Sequence, residues 1–153
     1  EFAVLRPAVE DYARGLKPNA LSCVVRVAGN GRSVLLTGDI EREQEALLVA
    51  EHGSGLRSDV LIVPHHGSKT SSSSAFLDAV RPTVAVVQAG YRNRFGHPAA
   101  EVMARYRERG IRLVASPDCG AWHWPSEAGA DGATCHRDTA RRYWHAVAPA
   151  PEP

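Results

Sequence analysis

The amino-acid sequence predicts an α/β fold in which helices cover a mixed sheet. Residues 21–28 and 33–37 are β-branched, apolar runs joined by Gly29-Asn30-Gly31, which is the pattern of a β-hairpin. Beyond residue 40, helix patterns alternate with short apolar runs, as expected where crossover helices join parallel strands. The 153 residues, of which 44% are hydrophobic, are enough for one domain with its own core.

Each further element has its own local signal. Phe2–Leu5 has the pattern of an opening strand. In the first helix, the inner side is expected to carry Ala46, Leu47 and Leu48. Pro98 is expected at the start of the last helix. Helices are predicted over 41–52, from the serines 71–74 to 80, and over 98–109; strands are predicted over 59–64, 83–88 and 111–115.

The C-terminal part carries tryptophans and cysteines. Trp122, Trp124 and Trp144 predict a final hairpin packed on the body of the domain, with an aromatic nucleic-acid platform as the alternative. Cys119 and Cys135 flank this part and could form a disulfide, but three cysteines are not typical of a disulfide framework, so their pairing stays open. Cys23 lies in a predicted strand and is expected to be buried and inert.

Charge and hydropathy limit the classes of protein to which the chain can belong. The net charge of +1 gives no overall field that attracts nucleic acid, so any such binding needs a local patch. No apolar run approaches the ~20 residues of a membrane helix. Because the chain enters a strand directly at Glu1, we expect that an N-terminal part precedes it. The Pro/Ala-rich residues 146–153 are expected to be a disordered tail.

The run Leu35-Leu36-Thr37-Gly38-Asp39 places an aspartate at the end of a predicted strand. In α/β folds the strand ends of one edge are where ligands and metals bind. Because a helix is predicted directly afterwards, Asp39 as a helix N-cap is the alternative interpretation.

A histidine pair follows the next strand, in Pro64-His65-His66-Gly67-Ser68. Neighbouring side chains of an extended chain point to opposite sides, so both histidines reach one site only if the strand has ended there. Gly67 permits such a turn. Aspartate and histidine together suit zinc or manganese, and this cluster therefore predicts metal-assisted hydrolysis.

A third polar segment, Tyr91-Arg92-Asn93-Arg94-Phe95-Gly96-His97-Pro98, follows the strand predicted at 83–88. It is expected to leave the sheet at the same edge as Asp39 and the histidine pair. The alternative is an exposed polar loop in which His97 caps the next helix.

Together, these segments resemble the metallo-β-lactamase superfamily and, within it, the C-terminal domain of the ComEC family of competence DNA-uptake channel proteins. The matching runs are residues 35–41, 63–71 and 93–98, and residues 142–145 resemble the end of that domain. The resemblance implies that residues 1–145 are the C-terminal half of an αββα sandwich, a mixed sheet with helices.

The sequence departs from the superfamily pattern because the main metal motif, His-x-His-x-Asp-His, is absent. The resemblance therefore implies an upstream half of the same domain that carries the other ligands. Half a sandwich would leave its inner sheet face uncovered, and the isolated chain would then dimerise, aggregate or melt early. The candidates for that face are Val24, Val34, Leu36, Leu61 and Val63.

The resemblance also implies an activity, the hydrolysis of DNA phosphodiester bonds in the non-transported strand by two divalent metal ions, zinc or manganese. Asp39 matches the carboxylate that bridges the metals. Either His65 or His66 matches a ligand, and the other would contact the phosphate. His97 would be a further ligand, a phosphate contact or a proton donor.

The partners implied are single- or double-stranded DNA, the upstream half, and a membrane channel domain. The parent would lie in the bacterial inner membrane with this domain on the periplasmic or extracellular side, whereas the fragment itself would be soluble and lack activity. Lys69, Arg92 and Arg94 would meet the DNA backbone, with ordinary solvated charge as the alternative. The residues expected to bind substrate are Ser68, Lys69, Arg92, Asn93 and Arg94.

Two other functions stay open at this point. One is hydrolysis of a different substrate on the same fold, such as RNA, a small ester or a lactone; the arginine-flanked loop favours a polyanion among these. The other is a non-catalytic structural module of the channel.

Overall fold

A six-stranded mixed sheet, with its strands in chain order, forms the centre of the molecule. The structure is a computed structural model that describes residues 1–125, 132–140 and 142–143. The strands of this sheet are β1 (Phe2–Arg6), β2 (Val24–Gly29), β3 (Arg32–Leu36), β4 (Val60–Ile62), β5 (Val84–Val87) and β6 (Arg112–Ala115). The strands β1, β2 and β3 pair antiparallel, and β3 to β6 pair parallel. The predicted α/β class with a mixed sheet and helices is confirmed.

The predicted hairpin is formed by β2 and β3. Asn30 and Gly31 both have positive φ, 52° and 72°, which suits the two-residue turn of an Asn-Gly hairpin. The first strand begins at Val24 rather than at residue 21, because Pro18–Leu21 form a 3-10 helix. Cys23 therefore lies before the strand and is exposed, so the prediction that it is buried was wrong.

Three helices cover one face of the sheet: α1 (Arg42–His52), α2 (Ser74–Val80) and α3 (Ala100–Glu108). Their buried side chains pack with alternate strand residues such as Leu35, Leu61 and Ala85. The predicted inner side of α1 is only partly right. Leu48 is buried, but Ala46 and Leu47 are exposed.

The turn of α1 that faces the core is instead polar, with Gln44 and Glu45 buried beside Leu48. The carboxylate of Glu45 accepts hydrogen bonds from the backbone N–H groups of Ser72 and Ser73. A buried carboxylate with such partners is satisfied, and this explains why a charged residue takes the inner position.

The opposite face of the sheet is covered in part by the C-terminal hairpin, β7 (Trp122–His123) and β8 (Thr134–Cys135). Trp122 and Trp124 pack against a cluster that includes Val60, Val86 and Val114. The predicted final hairpin is confirmed for these two tryptophans, whereas Trp144 lies outside the described residues. Cys119 follows β6 in the short helix α4 (Ser116–Cys119) and forms a disulfide with Cys135 just before α5 (His136–Thr139).

No other described residue covers the rest of that face. Phe2 is 79% exposed, and Val4 and Leu36 are also exposed on it. Of the predicted candidates, Val34 and Leu36 lie on this face, but Val24, Leu61 and Val63 are buried on the helix face. The assignment was wrong for those three residues. Successive side chains along a strand point to opposite faces, and these three point to the helix face, opposite to Leu36.

No helix among the described residues is both long and apolar enough to cross a membrane. The tail predicted at 146–153 lies outside the described residues.

Candidate metal centre at the sheet edge

The three predicted polar segments meet at the edge where β3, β4 and β5 end. Asp39 follows β3, the histidine pair follows β4, and the loop 88–98 follows β5. Hydrogen bonds fix the first two segments to each other: the His65 N–H donates to the Gly38 carbonyl at 3.0 Å, and the Thr37 hydroxyl donates to the Ile62 carbonyl at 2.8 Å. The parallel register therefore brings the strand ends together as the sequence predicts.

The histidines lie in a left-handed turn and not in an extended strand. His65, His66 and Gly67 have φ values of 48°, 55° and 79°. A non-glycine residue at positive φ is strained, so two in succession need support from their surroundings. The Gly67 carbonyl accepts a bond from the Ala99 N–H at 2.9 Å, and a Cβ on Gly67 would come within 2.7 Å of Pro98 Cβ. The turn is thus packed directly against the loop that carries His97.

His66 has both of its ring nitrogens in defined contacts. Its Nδ1 lies 2.6 Å from the Gln88 carbonyl oxygen. Because a carbonyl oxygen only accepts, Nδ1 carries the proton. Its Nε2 lies 3.4 Å from Asp39 Oδ1. In the tautomer with its single proton on Nδ1, Nε2 carries the lone pair that a metal ion would bind, and this atom faces the carboxylate of Asp39.

This geometry fits a metal ion better than a direct ion pair. A charge-assisted N–H···O bond measures about 2.7–2.9 Å, which is shorter than the contact between His66 and Asp39. Two ligands of one tetrahedral zinc, each about 2.0–2.2 Å from the ion, lie about 3.4 Å apart, as Nε2 and Oδ1 do. A metal-binding histidine also donates its other N–H to a carbonyl or carboxylate, as His66 does to Gln88.

The described residues supply only two such metal ligands, Asp39 and His66. Among the described residues no group of three or more His, Cys, Asp or Glu side chains is arranged to hold a metal ion. Asp39 and His66 would therefore hold a metal only together with ligands from outside the described residues.

His65 takes a different partner from His66. Its Nδ1 lies 3.3 Å from Glu41 Oε1 and 3.5 Å from the Thr70 hydroxyl, which also donates to Glu41 at 3.1 Å. Glu41 is the N-cap of α1, so the alternative in which Asp39 caps this helix is wrong. The two histidines, between which the sequence does not choose, have different neighbours: His66 faces Asp39 and His65 faces Glu41.

His97 joins the cluster from the loop after β5. Its ring centroid is 6.0 Å from that of His65, and its buried Nδ1 atom has no hydrogen-bond partner among the described residues. Burial, followed by the charges of His65 and His66, holds the pKa of His97 below its usual value. The imidazole is thus neutral at neutral pH. The N-cap of α3 is Ala99, so the alternative in which His97 caps that helix is wrong.

The residues predicted to bind substrate differ in their freedom to do so. Lys69, Arg92 and Arg94 are exposed at this edge. Ser68 is buried, and its hydroxyl lies 3.2 Å from that of Thr70.

The amide of Asn93 is engaged within its own loop. Its Oδ1 accepts from the N–H groups of Phe95 and His97 at 3.2 and 3.1 Å, and its Nδ2 donates to the carbonyls of Gly90 and His97. Asn93 therefore shapes the loop that carries His97.

Sequence reasoning missed three participants. Glu41 had a signal, because it stands two residues after Asp39 in the same matching run. Gln88 had no signal in the sequence, since it contacts His66 through its backbone carbonyl. Phe95 had a weak one: it stands two residues before His97, and the two rings stack at 6.0 Å with an interplanar angle of 18°.

The chain is similar to segments of proteins named for competence and recombination. It is 42% identical over 121 residues to Competence protein ComA of Neisseria gonorrhoeae, which covers 79% of this chain and 17% of that protein. It is 35% identical over 122 residues to ComE operon protein 3 of Bacillus subtilis, 78% of this chain and 15% of that protein. It is 45% identical over 87 residues to Recombination protein 2 of Haemophilus influenzae, 57% of this chain and 11% of that protein.

The chain thus spans less than a fifth of the length of each of these relatives. No family model matches it. These identities make the chain a homologue of one segment of competence-related proteins.

Proposed function

We propose that the chain is part of a metal-dependent hydrolase module that cleaves DNA phosphodiester bonds within a competence DNA-uptake protein. The observation that carries the proposal is the arrangement of His66, whose Nδ1–H is held by Gln88 while Nε2 faces Asp39 at 3.4 Å. A cation placed between the two groups would be held by both, since the Nε2 lone pair and the carboxylate oxygen are each electron donors of the kind that zinc binds.

The names of the relatives support the DNA-uptake context. One relative is named a competence protein and another is named for the ComE operon, and each is several times longer than this chain. We assign the remaining ligands to the preceding part of the longer protein, which would complete a metallo-β-lactamase-like sandwich over the open sheet face of Phe2, Val4 and Leu36. A membrane channel domain would be a further part of that longer protein.

The residues have separate roles in this proposal. Asp39 and His66 hold metal, and the Gln88 carbonyl orients the imidazole. When bound, two divalent ions of zinc or manganese supply an activated water and neutralise charge on the phosphate. His97, neutral and with a free Nδ1, holds or releases a proton at the edge of the site. Lys69, Arg92 and Arg94 bind the DNA backbone without reading its sequence.

The direct test is cleavage of DNA by the longer protein. Asp39→Ala should abolish cleavage, because both a metal ligand and its charge are lost. Asp118→Ala, which removes an exposed aspartate from α4, is the matched control and should cleave as the unmodified protein does. If Asp39→Ala also cleaves normally, the hydrolase assignment is wrong. Faster cleavage of RNA than of DNA would contradict the substrate.

Binding is tested separately. Lys69→Ala should weaken DNA affinity and lower the salt slope by about one unit, since one phosphate contact is lost, while cleavage at saturating DNA continues. Arg81→Ala, at the far end of α2, is the control. Normal cleavage and binding in all variants, combined with failed DNA uptake in cells, would favour a structural module.

The isolated chain should bind zinc and manganese only weakly and should not cleave DNA, because it supplies only part of the ligand set. Calorimetry with each metal and a cleavage assay with single-stranded DNA test this. Robust metal-dependent cleavage by the isolated chain would mean that the site lies elsewhere.

A further inference from the structure

Two large aromatic side chains stand exposed in the loop beside the histidine cluster. Tyr91 is 61% exposed and Phe95 is 67% exposed. Exposed rings of this size leave apolar area in water, and at a site edge they mark a place where a ligand covers them. The proposed hydrolase chemistry uses neither ring.

The rings are held by cationic and aromatic neighbours. The Arg92 guanidinium lies 5.2 Å from the centre of the Tyr91 ring, and the Arg94 guanidinium lies 4.9 Å from that of Phe95. Phe95 also stacks on His97. Each aromatic ring is thus paired with a positive charge, which is the combination found where single-stranded nucleic acids bind.

The loop is ordered before any ligand arrives. The four hydrogen bonds of the Asn93 amide tie together the backbone of Gly90, Phe95 and His97, between and beside the two aromatic residues. A preformed loop loses little conformational entropy on binding, so exposed rings on it can contribute to affinity.

The charge of the surroundings decides the occupant. An arginine guanidinium lies over each aromatic ring, and this positive charge favours a polyanion as the ligand over an apolar protein segment or a neutral molecule. The exposed area of the two rings favours unpaired bases over a duplex, in which the faces of the bases are already stacked on one another.

We propose that Tyr91 and Phe95 form a stacking platform for the unpaired bases of a DNA strand whose backbone enters the candidate metal centre. This inference rests on the proposed function for its ligand and deepens it by assigning a single-stranded substrate. Arg92 and Arg94 contact the phosphates that flank the stacked bases.

The test is the affinity of the longer protein that contains this chain for fluorescein-labelled oligothymidine, measured by anisotropy with EDTA present so that no cleavage occurs. Phe95→Ala and Tyr91→Ala should each weaken binding by about 5- to 100-fold, the effect of losing one base–aromatic stack. Tyr12→Ala is the matched control, because Tyr12 is 65% exposed in the 3-10 helix Val9–Arg14 and carries no role here. Phe95→Trp should restore the affinity lost in Phe95→Ala.

An abasic oligonucleotide of the same length separates stacking from charge. The unmodified protein should bind it more weakly than Phe95→Ala binds oligothymidine, because the stacks on both rings are lost, and it should bind duplex DNA more weakly than the single strand. Circular dichroism of each variant checks that the fold is kept. The proposal is overturned if both alanine variants bind as the Tyr12 variant does, or if duplex is preferred. Because EDTA removes hydrolysis, these results stand apart from any failure of the cleavage test.

Discussion

Gly67→Ala tests whether the histidine turn is packed against the loop of His97. The new Cβ would lie 2.7 Å from Pro98 Cβ and 3.3 Å from Met103 Cε. Met103 can rotate its terminal methyl away, but the proline ring sits in the backbone and has no such freedom. Overpacking of this kind costs about 1–3 kcal/mol. The positive φ of 79° adds about 1–2 kcal/mol for any residue with a Cβ.

Gly110→Ala separates the two contributions. Gly110 has a φ of 66°, but a Cβ there meets nothing within 4 Å. It should therefore cost only the backbone strain, about 1–2 kcal/mol. Urea unfolding followed by circular dichroism gives both values, and Gly67→Ala should be the less stable by about 1–3 kcal/mol. Equal losses in the two variants would refute the close packing of the turn on Pro98.

Three further perturbations have definite expected results. Glu45→Ala should destabilise the fold by about 2–5 kcal/mol in urea unfolding, because two buried backbone N–H groups lose their acceptor. The control Glu43→Ala, at an exposed position, should change the stability by no more than about 0.5 kcal/mol. Similar losses in the two variants would contradict the buried network. Asn93→Ala should speed hydrogen exchange of the amides in the loop 90–97, and an unchanged rate would show that another group holds the loop. The hydrogen bond from the Ala8 N–H is the main cause that lowers the pKa of Asp11 below its ordinary value of 3.8. Asp11→Asn should therefore lower the melting temperature at neutral pH. The difference should shrink below pH 3.8 and vanish once the pH falls through the lowered pKa of the folded state; a difference that persists in stronger acid would refute this.

Much of the fold follows from local signals in the sequence. The Asn30-Gly31 turn predicts the hairpin because few other dipeptides accept two positive φ values. The alternation of helices and short apolar strands predicts the parallel part of the sheet and hence the edge at which Asp39 and the histidines meet. These are short-range or periodic features, and no distant contact is needed to read them.

Features that depend on tertiary contacts were not predictable. The inner turn of α1 carries Glu45 because the loop of Ser72 and Ser73 offers it hydrogen bonds from a distant part of the chain. The Cys119–Cys135 disulfide depends on β8 returning to pair with β7, which a count of cysteines does not reveal.

The candidate site shows the same division. Residue types and strand ends predict that aspartate and histidine gather at one edge. The partner of each histidine follows from the left-handed turn at His65 and His66, a backbone conformation that these residues rarely adopt. The tautomer of His66 follows from the Gln88 carbonyl, and a backbone group leaves no signal in the sequence.

The central claim is that Asp39 and His66 hold metal in the longer protein, and its metal content tests this most directly. Mass spectrometry of the purified protein should find zinc or manganese, with a lower metal-to-protein ratio in Asp39→Ala and in His66→Ala. Asp118→Ala should keep the ratio of the unmodified protein. Unchanged metal content in both the Asp39 and the His66 variants would contradict the claim, since the two donors that face each other at 3.4 Å would then hold no ion.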